Sequence, residues 1–224
     1  MASIDVKQST QITVTCPHCQ QENKTKIWTS VNSNENPKIT QKILDDSFFI
    51  RKCSHCGEEF YVDHTVIFKD EDSQCIVCYT ADPEGESFFV ETIEELMQQS
   101  REEGDDCIVC PIRIVKDKNQ FREKARIFYM GLDDHVIEVI KVWALEYIRE
   151  QGINDVVHYV LCWVCDDGTL EITFLGDTEE NYMLMMPIEQ YNEAMEDLYE
   201  YLDEEEQCYI DMDWAINFVA ENDL

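Results

Sequence analysis

Two stretches decide the fold: TVTCPHCQQENKTKIW at residues 13–28 and FIRKCSHCGEEFYV at residues 49–62. Each carries a Cys-X-X-Cys step, and 33 residues separate Cys19 from Cys53. Pro17 presets φ inside the first step, and Gly57 follows the second, where a left-handed conformation is often required. Both steps are therefore predicted to bend the chain sharply, as the knuckles of a metal site do.

Predicted β-strands flank both steps. STQITV at residues 9–14 alternates and is rich in β-formers, and a second strand is expected to leave the first knuckle through Trp28. Strand–knuckle–strand at each pair is the arrangement of a zinc ribbon, and two pairs supply the four soft ligands of tetrahedral Zn²⁺. We therefore predict one structural zinc ion bound by Cys16, Cys19, Cys53 and Cys56.

Other interpretations of the two pairs stay open. An iron–sulfur centre uses the same four thiolates, and the thiols could also carry no metal. A redox couple is typically a single Cys-X-X-Cys step before a helix, whose N-terminus lowers the thiol pKa, and neither pair has that setting. No catalytic residue is predicted in this region.

The segment between the knuckles is longer than in a common zinc ribbon, which has roughly 15 to 20 residues there. The surplus is an Asn-rich loop and a short helix predicted to start at Pro37, and we expect a partner surface there first. His18 and His55 occupy the same slot in the two knuckles, and neither is expected to be a ligand. Four basic residues near the ligands either offset the charge of the centre or are ordinary solvated residues: Lys24, Lys26, Arg51 and Lys52.

The remaining cysteine pairs differ in character. Ile-Val or Trp-Val stands between their cysteines, which favours an extended strand whose residues three apart point to opposite faces. We predict that these cysteines are small buried hydrophobic residues, and a second site that draws one cysteine from each of two strands stays open. The pairs are Cys75/Cys78, Cys107/Cys110 and Cys162/Cys165.

The charge is strongly negative and unevenly distributed. The net charge is −31, residues 1–70 contribute −1, and no Lys or Arg follows Arg149. Such a surface disfavours direct nucleic-acid binding and anionic membranes, because both need cationic patches. Solubility alone can also explain the excess of acids. The cations between Arg113 and Arg126 could hold an anionic ligand or the acidic C-terminal half itself.

The sequence predicts neither a membrane-spanning helix nor an N-terminal signal peptide. No apolar run approaches the roughly 20 residues of a membrane helix. The first residues, MASIDVKQSTQITV, lack a basic n-region and an apolar h-region. We therefore expect a cytoplasmic protein with no membrane partner.

The rest of the chain predicts an α+β fold: an N-terminal β-rich zinc-ribbon-like module at residues 1–85 and a mixed, acidic α+β body at residues 86–224. DPEGES at 82–87 predicts a turn, and VETIEELMQQSREEG predicts a helix that ends at Gly104. DDHVIEVIKVWALEYIREQG predicts a long helix, capped by Asp133 or Asp134 and ended by Gly152. A hairpin around the turn DDG at 166–168, a third strand and two helices are expected to follow.

Enzyme signatures are lacking in the sequence. It contains no phosphate-binding glycine loop, no nucleophile elbow and no His-Glu-X-X-His motif. The acid pairs Asp133/Asp134 and Asp166/Asp167 are better interpreted as a helix cap and a hairpin turn than as Mg²⁺ ligands.

The motifs CPHC, NENPKITQKIL, SFFIRKCSHCGEEF and FREKARIFYMGLDDHVIEVIK resemble the CpXC family of bacterial proteins. The resemblance covers residues 10 to about 80 and extends to about 142. It implies the metal site at the four knuckle cysteines and a bacterial setting, and it implies no activity. Ser54 departs from the family pattern, which has Pro at that slot.

Three functions are compatible with these features. The first is a zinc-containing protein-interaction or regulatory module whose partner is not identified by the sequence. The second is an acidic mimic or regulator that binds the basic groove of a nucleic-acid-handling protein. The third is a metal-dependent enzyme whose acids are assembled only by the fold.

Overall fold

The computed structural model describes residues 8–103, 110–177, 182–202 and 207–224. It confirms the predicted α+β class and divides into two compact units, Met1–Ala125 and Arg126–Leu224. The predicted division into residues 1–85 and 86–224 stays a prediction. None of the helices in the described ranges has the length and apolar character needed to cross a membrane.

The first unit contains two β-hairpins, a mixed sheet and helices. In chain order its elements are β1 Ser9–Thr15, β2 Glu22–Trp28, β3 Ser30–Asn32, α1 Pro37–Leu44, β4 Ile50–Lys52, β5 Glu59–Tyr61, β6 Val66–Asp70, β7 Cys75–Tyr79, α2 Pro83–Glu103, β8 Ile112–Val115 and α3 Lys118–Tyr129. The boundary between the units falls within α3.

The two hairpins hold the knuckles. β1 pairs antiparallel with β2, and Thr15 stands opposite Glu22; β4 pairs antiparallel with β5, and Lys52 stands opposite Glu59. Each knuckle therefore connects two paired strands, as the zinc-ribbon pattern predicts.

A four-stranded sheet in the order β3-β6-β7-β8 forms the centre of the first unit. β6 and β7 are antiparallel, whereas β3–β6 and β7–β8 are parallel. All five residues of β7 are buried, which confirms the strand predicted for Cys75 and Cys78. An aromatic cluster packs beside β7, with ring centroids of Tyr79 and Phe121 5.6 Å apart.

The insertion between the knuckles is part of this unit. It forms β3 and α1, and α1 begins with Pro37 in its first turn, as predicted. The helix buries Ile43 and Leu44, and β3 pairs with β6. One face of the insertion therefore contributes to the core of the unit.

The turn predicted at DPEGES is wrong, because α2 begins at Pro83 and continues through it. Asp82 Oδ1 accepts a hydrogen bond from the Glu84 N–H, and acids in the first turn favour a helix N-terminus. A Cβ at Gly85 would lie 2.4 Å from Thr80 Oγ1. The glycine is thus explained by close packing, and the predicted end at Gly104 lies outside the described residues.

The second unit packs helices against an antiparallel sheet. In chain order its elements are α4 Asp134–Glu150, β9 Val157–Val164, β10 Leu170–Gly176, β11 Tyr182–Met186, α5 Ile188–Leu198 and α6 Met212–Asn222. The sheet order is β11-β10-β9, and the predicted hairpin is confirmed, with Gly168 at φ 85°.

Helix α4 is the centre of the second unit, and its predicted limits are confirmed. The Asp133 side chain caps its start by accepting from the His135 N–H, and Gly152 follows its end at φ 85°. The Tyr191 hydroxyl of α5 accepts a hydrogen bond from the Asp133 N–H at 2.8 Å. The Asp133 side chain therefore satisfies one N–H of the first turn, and the Tyr191 hydroxyl satisfies the N–H of the cap residue itself.

Candidate metal centre

The two knuckles have equivalent backbones. The Cys16 N–H donates to Gln21 and the Cys53 N–H donates to Glu58, so each turn closes five residues after its first cysteine. The residue after the second cysteine has positive φ in both turns, 60° at Gln20 and 80° at Gly57. The left-handed conformation expected at Gly57 is confirmed, and a glutamine adopts it in the other knuckle.

The fold brings the four predicted cysteines together. The Sγ atoms of Cys16 and Cys56 are 3.8 Å apart, and those of Cys19 and Cys53 are 3.6 Å apart. All four sulfurs lie within 4.8 Å of one another. Tetrahedral sulfurs at Zn–S distances of about 2.3 Å stand about 3.8 Å apart, whereas a disulfide needs about 2 Å. The four cysteines can therefore hold a metal ion, and the spacing of their sulfurs is compatible with zinc.

The hydrophobic cluster around this group is small. Among the described residues it contains five buried ones, namely Cys16, Ile27, Cys53, Phe60 and Val62, with Ile12, Val14 and Cys19 partly buried against them. Two of the five buried residues, Cys16 and Cys53, belong to the set of four cysteines. Few apolar side chains are left to hold the two hairpins together, which is the situation in which small β-modules depend on a metal.

The thiols affect each other's ionisation. Desolvation disfavours the thiolate of Cys53, but the N–H groups of Cys56 and His55 outweigh it and lower its pKa to about 5. The Glu58 N–H favours the thiolate of Cys56, yet desolvation and the neighbouring thiols raise its pKa to about 12. One thiolate forms beside thiols that resist ionisation because like charges repel. A bound cation removes that repulsion.

The two histidines contact the opposite knuckle. His18 Nε2 lies 3.2 Å from the Glu59 carbonyl oxygen, and His55 Nε2 lies 3.2 Å from the Glu22 carbonyl oxygen. Each acceptor is the residue three positions after the second cysteine of the other pair. The rings therefore make reciprocal hydrogen bonds that connect the knuckles, consistent with the expected role outside the ligand set.

Asn23 is a residue of the site that the sequence analysis missed. Its side chain is buried, and its Oδ1 accepts from both the N–H and the hydroxyl of Ser54, each at 2.9 Å. Its Nδ2 donates to the carbonyl oxygen of Gln21 at 3.0 Å. The available signal was an asparagine on the same side of β2 as the buried Ile27, four residues after a cysteine.

The basic residues near the ligands have local roles. Lys26 Nζ lies 4.1 Å from the Trp28 ring centroid, and Arg51 donates to the carbonyl oxygens of Phe48 and Ile50. Lys24 and Lys52 are exposed. These contacts are typical of ordinary surface and strand residues. That the four basic residues offset the charge of the site stays a prediction.

The other cysteine pairs are only partly described. Cys75, Cys78 and Cys162 are buried in strands, as predicted, and Cys165 is half-buried just after β9. Cys110 is half-buried before β8, whereas Cys107 lies outside the described residues. Desolvation raises the pKa of both Cys110 and Cys165.

The acid pairs have the predicted structural roles. Asp133 caps α4, Asp166 forms an ion pair with Arg126 at 2.6 Å, and the Thr169 N–H donates to Asp167 in the hairpin turn. Ligand atoms of Asp133, Asp134 and His135 lie within 4.8 Å of one another, a second group that could hold a metal ion. The capping bonds account for Asp133 and His135 there without a metal.

The cations between Arg113 and Arg126 are distributed over separate contacts. Lys116 pairs with Glu86 at 2.7 Å, and Lys118 Nζ lies 4.3 Å from the Tyr61 ring centroid. Arg113 is buried. Arg126, the last of the series, pairs with an acid of the C-terminal half, so one cation has the internal partner that the sequence suggested.

Comparison with known proteins identifies the family to which the chain belongs. The family model described as CpXC protein matches residues 14–141, which include both knuckles, the insertion and the first half of α4. Neither a curated protein nor a solved structure matches the chain. Since the matched range covers more than half of the 224 residues, the chain belongs to the CpXC family.

Proposed function

We propose that this protein is a protein-interaction or regulatory module in which a structural zinc ion organises the two knuckle hairpins. The observation that carries the proposal is the close grouping of the four sulfurs, which lie within 4.8 Å of one another and are 3.6 Å and 3.8 Å apart in the two cross-knuckle pairs. Four cysteine ligands close the coordination sphere of zinc, whereas a catalytic zinc keeps a position open for water. The proposed role of the metal is therefore structural.

The small core gives the proposed metal an energetic role. Metal binding contributes roughly 10 to 16 kcal/mol to the folding of zinc-finger peptides. The five buried residues of the knuckle cluster cannot supply that much by apolar burial, because two of them are the proposed ligands themselves. We therefore expect the hairpins to lose their structure when the metal is removed.

A variant that removes one ligand tests this role. Cys53→Ser is expected to abolish amide protection in the two knuckle hairpins, measured by hydrogen exchange, while the helices after Asp133 keep theirs. Cys165→Ser is the matched control, because it alters a half-buried cysteine outside the thiol group. Equal loss of protection in both units would contradict a module whose folding depends locally on metal.

The charge of the chain favours a protein partner over a nucleic acid or a membrane. Residues 126–224 contain 25 Asp and Glu residues but only three Lys and Arg residues. Two of those cations have acid partners: Arg126 with Asp166, and Lys141 with Glu138 at 2.9 Å. The second unit thus presents a negative field that attracts basic surfaces and repels phosphate.

The same observation favours a second candidate function, an acidic regulator that occupies the basic groove of a nucleic-acid-handling protein. Association of this kind weakens steeply with salt and is displaced by the nucleic acid that the groove normally binds. The test is capture of partners from nuclease-treated lysate at low and high ionic strength, with duplex DNA as competitor. Binding that survives both treatments would contradict the acidic-mimic function.

A further inference from the structure

A cavity of about 350 Å³ opens beside α6 in the second unit, and we call it the α6 cavity. Its size is at the lower end of the range for small-molecule sites, about 300 to 1,000 Å³. The described residues that line it all belong to the second unit, whereas the four knuckle cysteines belong to the first. The residues that matter here are His135, Tyr201, Trp214, Asn217, Phe218 and Glu221.

Aromatic rings form one wall of the cavity. Trp214 and Phe218 lie one turn apart on α6 and stack, with centroids 4.9 Å apart and an interplanar angle of 21°. The His135 ring meets Trp214 edge-on at 5.0 Å, and its Nδ1 lies 2.8 Å from Asp133 Oδ1. The indole therefore contacts one ring from α4 and one from α6. Tyr201 lines the same cavity and is 44% exposed.

Hydrogen-bond acceptors stand on the same face of α6. Glu221 is seven residues after Trp214, so both side chains project from one side of the helix, and Asn217 lies between them. Glu221 and Asn217 are exposed at the cavity. Among the described residues that line the cavity, none is Lys or Arg. A carboxylate beside aromatic side chains, in a lining without Lys or Arg, is an arrangement that attracts organic cations.

The charge around the cavity also favours a cationic ligand. Residues 126–224 carry 25 Asp and Glu residues and three Lys and Arg residues, and Arg126 and Lys141 are already paired. An aromatic pocket in such a field concentrates cations and repels anions. A neutral apolar ligand would gain nothing from Glu221 or from the field, so the two observations together select the class of ligand.

We propose that the α6 cavity binds an alkylammonium or guanidinium ion, which lies against Trp214 and Phe218 and donates hydrogen bonds to Glu221 and Asn217. Such a group is present in a free polyamine or amino-acid amide and in a Lys or Arg side chain of another protein. The cavity would recognise the cationic group in the same way in a free small molecule and in a protein side chain. Free and peptide-borne probes distinguish these two sources.

The test uses NMR of the intact 224-residue chain as purified, labelled with ¹⁵N and studied at 0.15 M salt. The chain has four Trp residues, and the indole N–H signal of Trp214 is identified by its loss in Trp214→Leu. Spermidine and argininamide are titrated as free cations, a blocked peptide with a central Arg as the protein-borne form, and citrullinamide as the uncharged isostere. We expect saturable shifts of the Trp214 signal with a cationic probe and none with citrullinamide.

Two variants separate the cavity from general electrostatic attraction. Glu221→Gln is expected to weaken the affinity for the cationic probe about threefold or more. Glu193→Gln removes one exposed charge on α5 and should leave this affinity unchanged. Trp214→Leu, followed by calorimetry, is expected to weaken binding by about 3- to 30-fold. Unchanged signals of the remaining Trp residues report that each variant is folded.

The outcomes are decisive in either direction. Binding of free cations assigns a small-molecule site, and binding of the Arg peptide alone assigns a site for a basic side chain. The proposal is overturned if no cationic probe shifts the Trp214 signal, if citrullinamide binds equally well, or if Glu193→Gln weakens binding as much as Glu221→Gln.

Discussion

Ser54 donates two hydrogen bonds to the buried side chain of Asn23, one from its backbone N–H and one from its hydroxyl, each at 2.9 Å. Asn23 belongs to the strand that leaves the first knuckle, and Ser54 lies inside the second. The pair therefore connects the two halves of the site. It also explains why serine is suited to a slot where the CpXC motif has proline, because proline has neither an N–H nor a hydroxyl.

The first prediction concerns this slot. Ser54→Pro is expected to destabilise the protein by about 1 to 3 kcal/mol, because it leaves the buried Asn23 oxygen without donors. The same change in an Asn23→Ala background should cost much less, because no acceptor then remains. Urea unfolding of the four proteins in this cycle measures the coupling. Equal costs in both backgrounds would show that the two residues do not act together.

The second prediction concerns the left-handed residues of the knuckles. Gly57→Ala is expected to cost about 1 to 2 kcal/mol, because φ is 80° there while a Cβ would meet no atom within 4 Å. Gln20→Gly is expected to stabilise the protein instead, since Gln20 is exposed and adopts φ of 60°. Thermal unfolding of both variants measures the two effects, and a stabilising Gly57→Ala would contradict the conformational cost assigned to the left-handed position.

The third prediction concerns His64, whose two ring nitrogens lie 2.9 Å from the Val62 carbonyl and 3.1 Å from the Trp28 carbonyl. Burial lowers its pKa, and nearby Arg51 also lowers it, although both carbonyls favour the protonated ring. The unfolded chain therefore binds more protons than the folded protein once pH falls below about 6.5, the ordinary value. Neutral His64 contributes stability above that pH, and this contribution decreases as the pH falls towards the lowered pKa.

The measurement for His64 is the free energy of unfolding between pH 5.5 and 7.5 in the natural protein and in His64→Gln. The difference between the two should change with pH in the direction just given, while effects of thiol protonation at the four knuckle cysteines cancel because both proteins retain those cysteines. A difference that is constant over this range would contradict the assignment.

The fourth prediction concerns Arg126, whose side chain is 12% exposed. It donates to the Val164 carbonyl oxygen and to Asp166, and its guanidinium lies 5.1 Å from the Trp163 ring centroid. Arg126→Lys is expected to destabilise the second unit by about 1 to 2 kcal/mol, because an ammonium cannot reproduce the planar set of contacts.

Asp166→Asn provides the matched comparison. The Asp166 side chain is 97% exposed, so its ion pair with Arg126 should contribute less than about 1 kcal/mol. Chemical unfolding followed through the second unit measures both variants. A larger loss for Asp166→Asn than for Arg126→Lys would show that the ion pair, and not the buried guanidinium contacts, stabilises the hairpin.

The features that the sequence predicts well are local ones. The bend at Gly57, the Asp133 cap of α4 and the turn at Gly168 each depend on residues within a few positions of one another, and all three are confirmed. The turn predicted at DPEGES failed because Pro and Gly usually mark turns. At this place Pro83 starts a helix, and Gly85 allows that helix to pack close to Thr80.

The contacts that complete the site are non-local, which is why the sequence did not reveal them. His18 and Glu59 are 41 positions apart, and Asn23 and Ser54 are 31 positions apart. Their pairing depends on how the two hairpins face each other, and residue type alone does not specify that arrangement. The four cysteines were predictable because a tetrahedral metal site requires them together whatever path the chain takes between them.

The measurement that tests the central claim most directly is elemental analysis of the purified, untagged protein, giving the identity of the metal and the moles per chain. The account predicts about one zinc per chain, lost in Cys16→Ser and retained in the control Cys165→Ser. A protein that folds with no metal, that holds iron with visible colour, or that keeps its zinc without Cys16 would contradict the structural zinc site.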